Sequence, residues 1–124
     1  LVDSDGDWGE GLLALAEWQR RRSLDAPIWL SYFGNVRPER YGIRYRGLRS
    51  PFSSVRQDPE REAGRDPARL RGWVVISKTH LAGTYFAAEG LSPDYYAAWR
   101  RLTPDAVIGG GLLAFDRRAT EPAR

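Results

Sequence analysis

Hydrophobic and polar positions form two different patterns in the first half of the chain. From about Trp8 to Arg22, small and apolar side chains recur at helical spacing, with charged residues on the opposite side. The stretch "PIWLSYFG", residues 27–34, is nearly all apolar or aromatic, as expected of a strand that is covered on both faces. This half of the chain therefore predicts an amphipathic helix followed by a buried strand. The predicted buried arc of the helix holds Gly11, Leu12, Leu15, Ala16 and Trp18.

The second half predicts another strand, another helix and a closing strand. "GWVVIS" favours a strand over Trp73–Ser77. Ser92 as N-cap and Pro93 at the first helical position open a second helix, which ends before Pro104. "AVIGGGLLAFD" predicts one final strand, or two short strands bent at the glycines. Residues 49–71 are rich in proline and arginine, which predicts an exposed loop with a short helix near Pro67–Leu70.

Together these elements predict one α/β domain over residues 1–118, followed by a frayed tail at 119–124. Leu1–Ser4 fits the end of a first strand, and strand, helix and strand at this spacing form a right-handed βαβ unit. We expect a three-layer sandwich with a mixed, mainly parallel sheet of four or five strands and two main helices. The expected buried residues are Leu12, Leu15, Trp18, Ile28, Leu30, Val74, Ile76, Trp99, Leu102 and Ile108.

Composition limits the chemistry that the chain can perform. Its 124 residues suit one domain with a hydrophobic core, and it contains no apolar run of about 18 residues. The absence of cysteine excludes disulfides, thiolate nucleophiles and cysteine-based zinc sites. His80 is the only histidine, so one chain cannot form a histidine-rich metal centre. Because the chain begins at Leu1 inside a predicted strand and has no methionine, we expect it to be part of a longer protein.

The charge pattern favours small or lipid-borne anions over nucleic acid. The net charge is +3, and every basic residue except Lys78 is arginine. The 19 basic residues are interleaved with 16 acids rather than gathered in one stretch. We therefore expect no nucleic-acid partner, and a weak affinity for anionic headgroups or pyrophosphate is the more favoured interaction.

The opening stretch "DSDGDWGEGL", residues 3–12, combines three alternating acids with a helix start. A calcium loop would need glycine where Trp8 stands and an acid where Ala14 stands, so no metal is expected. Asp7 precedes Glu10 by three residues, which is the spacing of a capping box. We interpret Asp7, Gly9 and Glu10 as a structural motif that begins the helix.

The residues around that motif are candidates for ligand contact. Asp3, Ser4 and Asp5 would follow the first strand, and ligands of open α/β sheets bind beyond the carboxyl ends of strands. Trp8 either packs on the strand end or faces a ligand. His80 also follows a strand, where it is either a structural hydrogen-bonding residue or part of a polar ligand-binding cluster.

Two further patterns, a glycine-rich stretch and a set of aromatic residues, are less specific indications of a binding site. "IGGGLLAF" matches neither glycine-rich phosphate-binding pattern, which favours a bulge or close packing at a sheet edge. Several aromatic residues fall near predicted strand ends, where exposed rings suit sugar stacking or a membrane interface, although most aromatics are expected in the core. They are Trp8, Tyr32, Phe33, Tyr41, Tyr45 and Tyr85.

Four stretches in order resemble one family of enzymes. "DSDGDWGEGLLALAEW" is similar to a "DSN-x-DWGQDL" segment, and "LSYFG" followed by "PERYGI" is similar to a strand and a "P-x-YYGI" turn. "GWVVISKTHLAG" resembles "G-x-Y-A-I-S-x-x-x-L-x-G", and "YYAAWRRLTPDAVIGGGLLAFD" resembles "Y-x-W-L-R-x-x-x-P-x-x-x-IGYSI-x-V-Y". These segments occur in the C-terminal part of bacterial protein O-mannosyltransferase-like glycosyltransferases, which are polytopic membrane enzymes that take sugar from a polyprenyl-phosphate carrier.

The resemblance identifies matching motif residues in this chain but no active-site residue. Matching residues in the first segment are Asp3, Ser4, Asp7, Trp8 and Gly9. The chain departs from the family pattern at Asp5, where asparagine is usual, and likewise at Glu10, Gly11 and Gly110. The family's catalytic acid lies on an early extracytoplasmic loop of the membrane part, so the resemblance assigns no catalytic residue to this chain.

The resemblance implies a non-catalytic accessory domain at the extracytoplasmic, periplasmic face of the bacterial cytoplasmic membrane, anchored by upstream membrane helices. Its expected partners are the membrane part of the same polypeptide and a polyprenyl-phosphate sugar or acceptor, with no cofactor. The ligand-binding candidates remain Asp3, Ser4, Asp5, Trp8 and His80. The alternative is a freestanding carbohydrate- or polyanion-binding module, and a third hypothesis is a small hydrolase that uses an aspartate and His80.

Overall fold

The sheet has five strands, and the computed structural model describes residues 9–22 and 26–119. The chain order of its main elements is α1 (Glu10–Arg21), β1 (Ile28–Ser31), β2 (Tyr45–Gly47), β3 (Trp73–Ser77), α2 (Lys78–Leu81), α3 (Ala97–Arg100), β4 (Ala106–Ile108) and β5 (Leu112–Asp116). Short 3₁₀ helices lie at Pro38–Tyr41, Arg61–Arg65, Pro67–Arg69 and Ala87–Glu89. The predicted strand at Leu1–Ser4 lies outside the described residues.

The strand order β2-β1-β3-β5-β4 confirms the mixed sheet of five strands. β1 pairs in parallel with β2 and β3, whereas β5 pairs antiparallel with β3 and β4. The expectation of a mainly parallel sheet is wrong, because only two of the four pairings are parallel and the longest ladder is antiparallel. The three glycines at 109–111 join β4 to β5 as a hairpin, and a connection that short can only reverse the chain.

The first helix begins at a glycine. Gly9 is the N-cap with φ 109°, a left-handed conformation that glycine adopts without steric cost. A Cβ atom at Gly9 would also lie 3.0 Å from the Tyr41 hydroxyl. Glu10 is the first residue of the helix rather than its third, so it does not occupy the capping-box position that its spacing from Asp7 predicts. Asp7 itself, like Trp8, lies outside the described residues.

The second main helix is much shorter than predicted. Ser92 and Pro93 open a series of turns, and regular α-helix covers only the four residues of α3. The Ser92 hydroxyl accepts a hydrogen bond from the Asp94 backbone N–H at 3.0 Å, as the predicted N-cap would, but the turns that follow become regular α-helix only at Ala97. The adjacent rings of Tyr95 and Tyr96 are both buried, so packing of neighbouring side chains overrides the helical pattern here.

Side chains of β1, β3 and β5 alternate between two hydrophobic clusters, one on each face of the sheet. Ile28 and Leu30 pack with the buried face of α1, whereas Trp29 between them packs with Trp99 of α3. Of the ten residues expected in the core, eight are buried, and Trp18 and Leu102 are half-buried at its margin. Both faces of β1 and β3 are therefore covered, as their apolar sequences predict.

Segment 49–71, expected as an exposed loop, is fastened to the body of the domain. It contains two of the 3₁₀ helices, including one at Pro67–Arg69 where a short helix is predicted. The Trp99 indole N–H donates to the Gly64 carbonyl at 2.7 Å, and Arg46 forms a 3.0 Å ion pair with Asp58. Leu70 is buried in the same cluster as Trp99. Within the described ranges, no helix is long and apolar enough to cross a membrane.

We predict that Gln19→Ala will destabilise the domain by about 1–3 kcal/mol, since it removes both hydrogen bonds between this buried side chain and the Arg44 backbone. The Gln19 side chain is buried, and its amide group donates to the Arg44 carbonyl at 2.9 Å and accepts from the Arg44 N–H at 3.1 Å. Urea denaturation will measure the change. Arg20→Ala, an exposed position on the same helix, is the control, and an equal loss in both variants would contradict the assignment.

Candidate functional site

Three aromatic rings form a surface at the carboxyl ends of the parallel strands. Phe33, Phe52 and Tyr85 each belong to the segment that follows one of the strands β1, β2 and β3. Phe33 stacks on Tyr85 with ring centroids 5.2 Å apart, and Phe52 meets Tyr85 edge to face at 5.2 Å. We call these three residues the aromatic surface. It occupies the edge at which open α/β sheets bind their ligands.

Two residues of the aromatic surface hold a strained backbone conformation. Phe52 has φ 55° and Tyr85 has φ 73°, and they are the two non-glycine residues with positive φ in the described part of the chain. Their side chains are also exposed, at 54% for Phe52 and 40% for Tyr85. Left-handed conformations cost L-residues about 1–2 kcal/mol each, and such strain concentrates at functional sites. Phe52 and Tyr85 therefore each combine a strained backbone with an exposed side chain, and their rings are in contact.

A buried polar network lies beneath the aromatic surface. His80 follows β3 and is fully buried, with Phe33 packed edge to face on its ring at 5.9 Å. Its Nδ1 lies 2.9 Å from the Ser31 hydroxyl, and its Nε2 lies 2.9 Å from the Pro51 carbonyl oxygen. The Ser50 hydroxyl lies 3.3 Å from that of Ser31. The network thus joins the ends of β1 and β3 to the loop that carries Phe52.

The positions of the protons follow from these partners. Burial lowers the pKa of His80 to about 4, so its ring is neutral at pH 7. A carbonyl can only accept, so Nε2–H donates to Pro51 and Nδ1 accepts from the Ser31 hydroxyl. Burial also raises the pKa of Tyr96, whose hydroxyl donates to the Arg49 carbonyl at 2.8 Å. Every side chain named here has a partner.

Ser31 and His80 are arranged like the serine and histidine of a nucleophilic dyad, but no substrate can reach them because both are buried. A serine hydroxyl on a histidine nitrogen at 2.9 Å is the geometry used to activate a nucleophile. In a catalytic triad a carboxylate binds the other histidine nitrogen, whereas here the neutral Pro51 carbonyl does so. Ser31 and His80 also have no surface exposed to solvent. In this geometry His80 holds Pro51, and through it Phe52, in place; it does not touch solvent.

The described part of the chain contains only some of the predicted site residues. Asp3, Ser4, Asp5 and Trp8 lie outside it, so their prediction as ligand-contacting residues stays a prediction. Gly9 and Glu10 begin α1. The side chains of His, Asp and Glu within the described ranges include no group of three or more that could hold a metal ion.

A groove lies between α1 and the edge strand β4, away from the aromatic surface. It encloses about 490 Å³ and is lined by Ala14, Glu17, Trp18, Arg21, Arg22, Val107, Ile108 and Gly109. Four large hydrophobic side chains are exposed among the described residues: Phe52 and Tyr85 belong to the aromatic surface, Val107 lines the groove, and Leu13 lies on α1 outside the groove lining. Two of the four are therefore in contact with each other on the aromatic surface.

The sequence indicates part of the aromatic surface and the histidine beneath it, His80, but not Phe52 or the two serines of the network. Phe33 and Tyr85 are recognisable as aromatics near strand ends, but Phe52 lies in a segment whose composition indicates only a loop. Ser31 and Ser50 are ordinary serines in the sequence. The one available signal was that Ser31 interrupts an otherwise apolar buried strand, where a hydroxyl needs a hydrogen-bond partner.

We predict that acidification from pH 6.5 to pH 4 will destabilise the domain through His80 by up to about 3 kcal/mol. The unfolded chain binds a proton near pH 6.5, whereas the folded chain binds it only near pH 4, so stability present above pH 6.5 is lost as the pH falls. Below pH 4 the histidine causes no further loss. Urea denaturation between pH 4 and 7.5 will show this slope in the wild type and its absence in His80→Gln; parallel profiles would contradict the buried neutral ring.

Comparison of the chain with protein families, curated proteins and solved structures finds no match to any of them. The features of the described chain that bear on function are the aromatic surface, the network beneath it and the groove.

Proposed function

We propose that the chain is a non-catalytic accessory domain that recognises sugar through its aromatic surface. The observation that carries the proposal is the exposed, touching pair of Phe52 and Tyr85, both held in the left-handed region. Sugar rings present C–H groups that stack on aromatic faces, and a rigid ring pair loses little conformational entropy on binding. Phe33 extends the same surface by stacking on Tyr85.

The buried network supports binding rather than catalysis at this edge. A catalytic group must reach the reacting atoms, whereas Ser31 and His80 are enclosed and fully hydrogen-bonded. Their effect is to fix the loop at Pro51 so that Phe52 is presented in one conformation. Preorganisation of this kind raises affinity by lowering the ordering cost of the bound state. The geometry therefore favours recognition over the hydrolase hypothesis.

We further propose that the domain belongs to a membrane glycosyltransferase and lies at the extracytoplasmic, periplasmic side of the bacterial cytoplasmic membrane. Support comes from the four ordered stretches that resemble protein O-mannosyltransferase-like enzymes. In this proposal the domain assists recognition of the acceptor or the polyprenyl-phosphate sugar, and its permanent partner is the membrane part of the same polypeptide. About eight or more hydrophobic spans encoded upstream would support it, and a complete short reading frame would exclude it.

The second candidate function is a freestanding carbohydrate- or polyanion-binding module. The aromatic surface serves this function equally well, and the exposed arginines at the end of α1 favour its polyanion form. Both candidates place the sugar on the same rings, so mutation of these rings tests sugar recognition itself, and the upstream gene sequence separates the two.

At the level of fold, we infer a three-layer sandwich of α1, the sheet and a layer formed by α3 with its flanking turns. The two hydrophobic clusters on opposite faces of the sheet support this classification.

We predict that Phe52→Gly and Tyr85→Gly will each abolish sugar binding while changing the free energy of unfolding by no more than about 1 kcal/mol. Glycine relieves the left-handed strain, which offsets the lost ring contact and the greater freedom of the unfolded chain. Binding is measured by calorimetric titration of neutral oligosaccharides identified on a glycan array, and stability by urea denaturation.

Two controls separate recognition from folding. Leu13→Ala removes an exposed apolar side chain away from the aromatic surface and is expected to leave sugar binding unchanged. Phe86→Ala removes a fully buried ring beside His80 and is expected to cost about 3–5 kcal/mol. Unaltered sugar affinity in both glycine variants would refute the proposal, as would the absence of any glycan ligand.

A further inference from the structure

The groove between α1 and β4 has a helix on one side and the edge strand of the sheet on the other. It encloses about 490 Å³ and runs beside Val107, Ile108 and Gly109. An extended peptide fits a groove of this kind, because it can add a strand to the edge and place alternate side chains against the helix. The helix residues that line the groove are Ala14, Glu17, Trp18, Arg21 and Arg22.

The β4 edge of the sheet is open for further pairing. In the described part of the chain, β4 pairs with β5 alone. Successive residues of an edge strand direct their backbone groups alternately toward and away from its one neighbour, so this three-residue strand carries N–H and C=O groups on its outer side. The opposite edge differs, because Gly47 of β2 pairs with Gln57 and its carbonyl accepts from the Asp58 N–H at 2.8 Å.

The residues of β4 do not protect this edge. Charged side chains and prolines in an edge strand prevent the addition of another strand. Ala106, Val107 and Ile108 include neither, and the Val107 side chain is 58% exposed. Outward backbone groups and apolar side chains therefore occur together at β4, as strand addition requires.

The side of the groove beneath α1 is apolar. Ile108 is buried in the cluster beneath the helix, and Ala106 packs against that cluster. The Trp18 ring meets Trp73 edge to face at 4.8 Å, which holds its position. A strand that adds to β4 directs every second side chain to this same face, toward Trp18 and Ala14. We therefore expect those positions of the peptide to be apolar.

The charges around the groove are compensated within the chain. Glu17 is bound by Arg21 at 2.9 Å. Arg118, and with it Arg22, lowers the pKa of the Asp116 carboxyl, so Arg22 already has an acidic neighbour. Charge complementarity therefore favours a peptide segment without net charge, bound through its backbone and its apolar side chains.

We propose that the groove binds an extended peptide segment of another protein, which adds a strand to β4 and has apolar side chains at alternate positions. A second copy of this chain fits less well. Its own Ala106 and Ile108 are packed beneath its own α1, so these side chains cannot enter the groove. The peptide lies on a different surface from the three rings and is recognised through its backbone, so this inference goes beyond sugar recognition.

The test uses uncharged, fluorescently labelled peptides of about eight residues, long enough to extend past both ends of β4. They alternate threonine with valine, leucine or phenylalanine and are titrated with the 124-residue chain, and binding is followed by fluorescence anisotropy. The control for each peptide has the same composition, with the threonines and the apolar residues in two separate blocks. We expect at least one alternating peptide to bind at least about tenfold more tightly than its control.

Methylation of the peptide nitrogens tests the backbone pairing. It removes N–H donors, so methylation of the alternate residues that face β4 is expected to weaken binding by about tenfold or more. Methylation of the other alternate set is expected to leave binding unchanged. In the protein, amide hydrogen exchange at Val107 and its two neighbours is expected to become slower when the peptide is bound.

Matched variants assign the binding to β4. Val107→Lys places a charge at the centre of the edge strand and is expected to weaken peptide binding by about tenfold or more. Leu13→Lys is the control, because Leu13 is 56% exposed on α1 but does not line the groove. Urea denaturation is expected to give the wild-type free energy of unfolding for both variants, since both side chains are exposed.

Several outcomes would overturn the proposal. Failure of all three alternating peptides to bind would do so directly, and equal affinity for the block controls would indicate unspecific apolar adsorption. Equal effects of the two methylation sets would exclude backbone pairing, and equal effects of Val107→Lys and Leu13→Lys would exclude β4. Self-association of the chain without peptide, abolished by Val107→Lys in analytical ultracentrifugation, would assign the edge to a second copy instead.

The aromatic surface supplies the control that separates the two proposals. Phe52→Gly is expected to bind the alternating peptides like the wild type, and Val107→Lys is expected to bind sugar like the wild type. Failure of the sugar proposal and failure of this one are therefore distinguishable.

Discussion

Parallel pairing of β1 with both β2 and β3 is the constraint on which the candidate site depends. Parallel strands end at the same edge of a sheet, so the segments that follow them must meet there. This is why Phe33, Phe52 and Tyr85 touch although they are far apart in sequence. If β2 ran antiparallel to β1, the segment with Phe52 would leave from the opposite edge, and the surface would lose its third ring.

The hydrogen bonds of the buried network offset the free-energy cost of the left-handed backbone at Phe52 and Tyr85. Two left-handed residues cost about 1–2 kcal/mol each. Against this stand the hydrogen bonds of His80 to Pro51 and of Ser31 to His80, each contributing about 1 kcal/mol net. Ser31 and His80 are also fully buried, so loss of one partner would leave a buried polar atom of the other unsatisfied. The conformation of Phe52 is therefore held by neighbours that a ligand does not touch.

The sequence predicts elements with a regular hydrophobic pattern well, but it predicts strand direction and contacts between distant residues poorly. The span of α1 and the burial of β1 follow from local spacing, which is why both were predicted nearly to the residue. The second helix failed because Tyr95 and Tyr96 are both buried side by side, a requirement of the core that helical periodicity does not contain. The direction of β5 and the meeting of Ser31, Ser50 and His80 depend on strand order, which no local pattern encodes.

The single histidine also gives the domain an intrinsic spectroscopic probe. Both ring nitrogens of His80 are engaged, one by Ser31 and one by Pro51, and the chain has no other imidazole. Its ¹H and ¹⁵N NMR signals therefore come from one tautomer in one environment and need no selective labelling. Opening of the loop that carries Phe52 would free Nε2–H to exchange with solvent, so motion of the aromatic surface can be followed from an atom that lies beneath it.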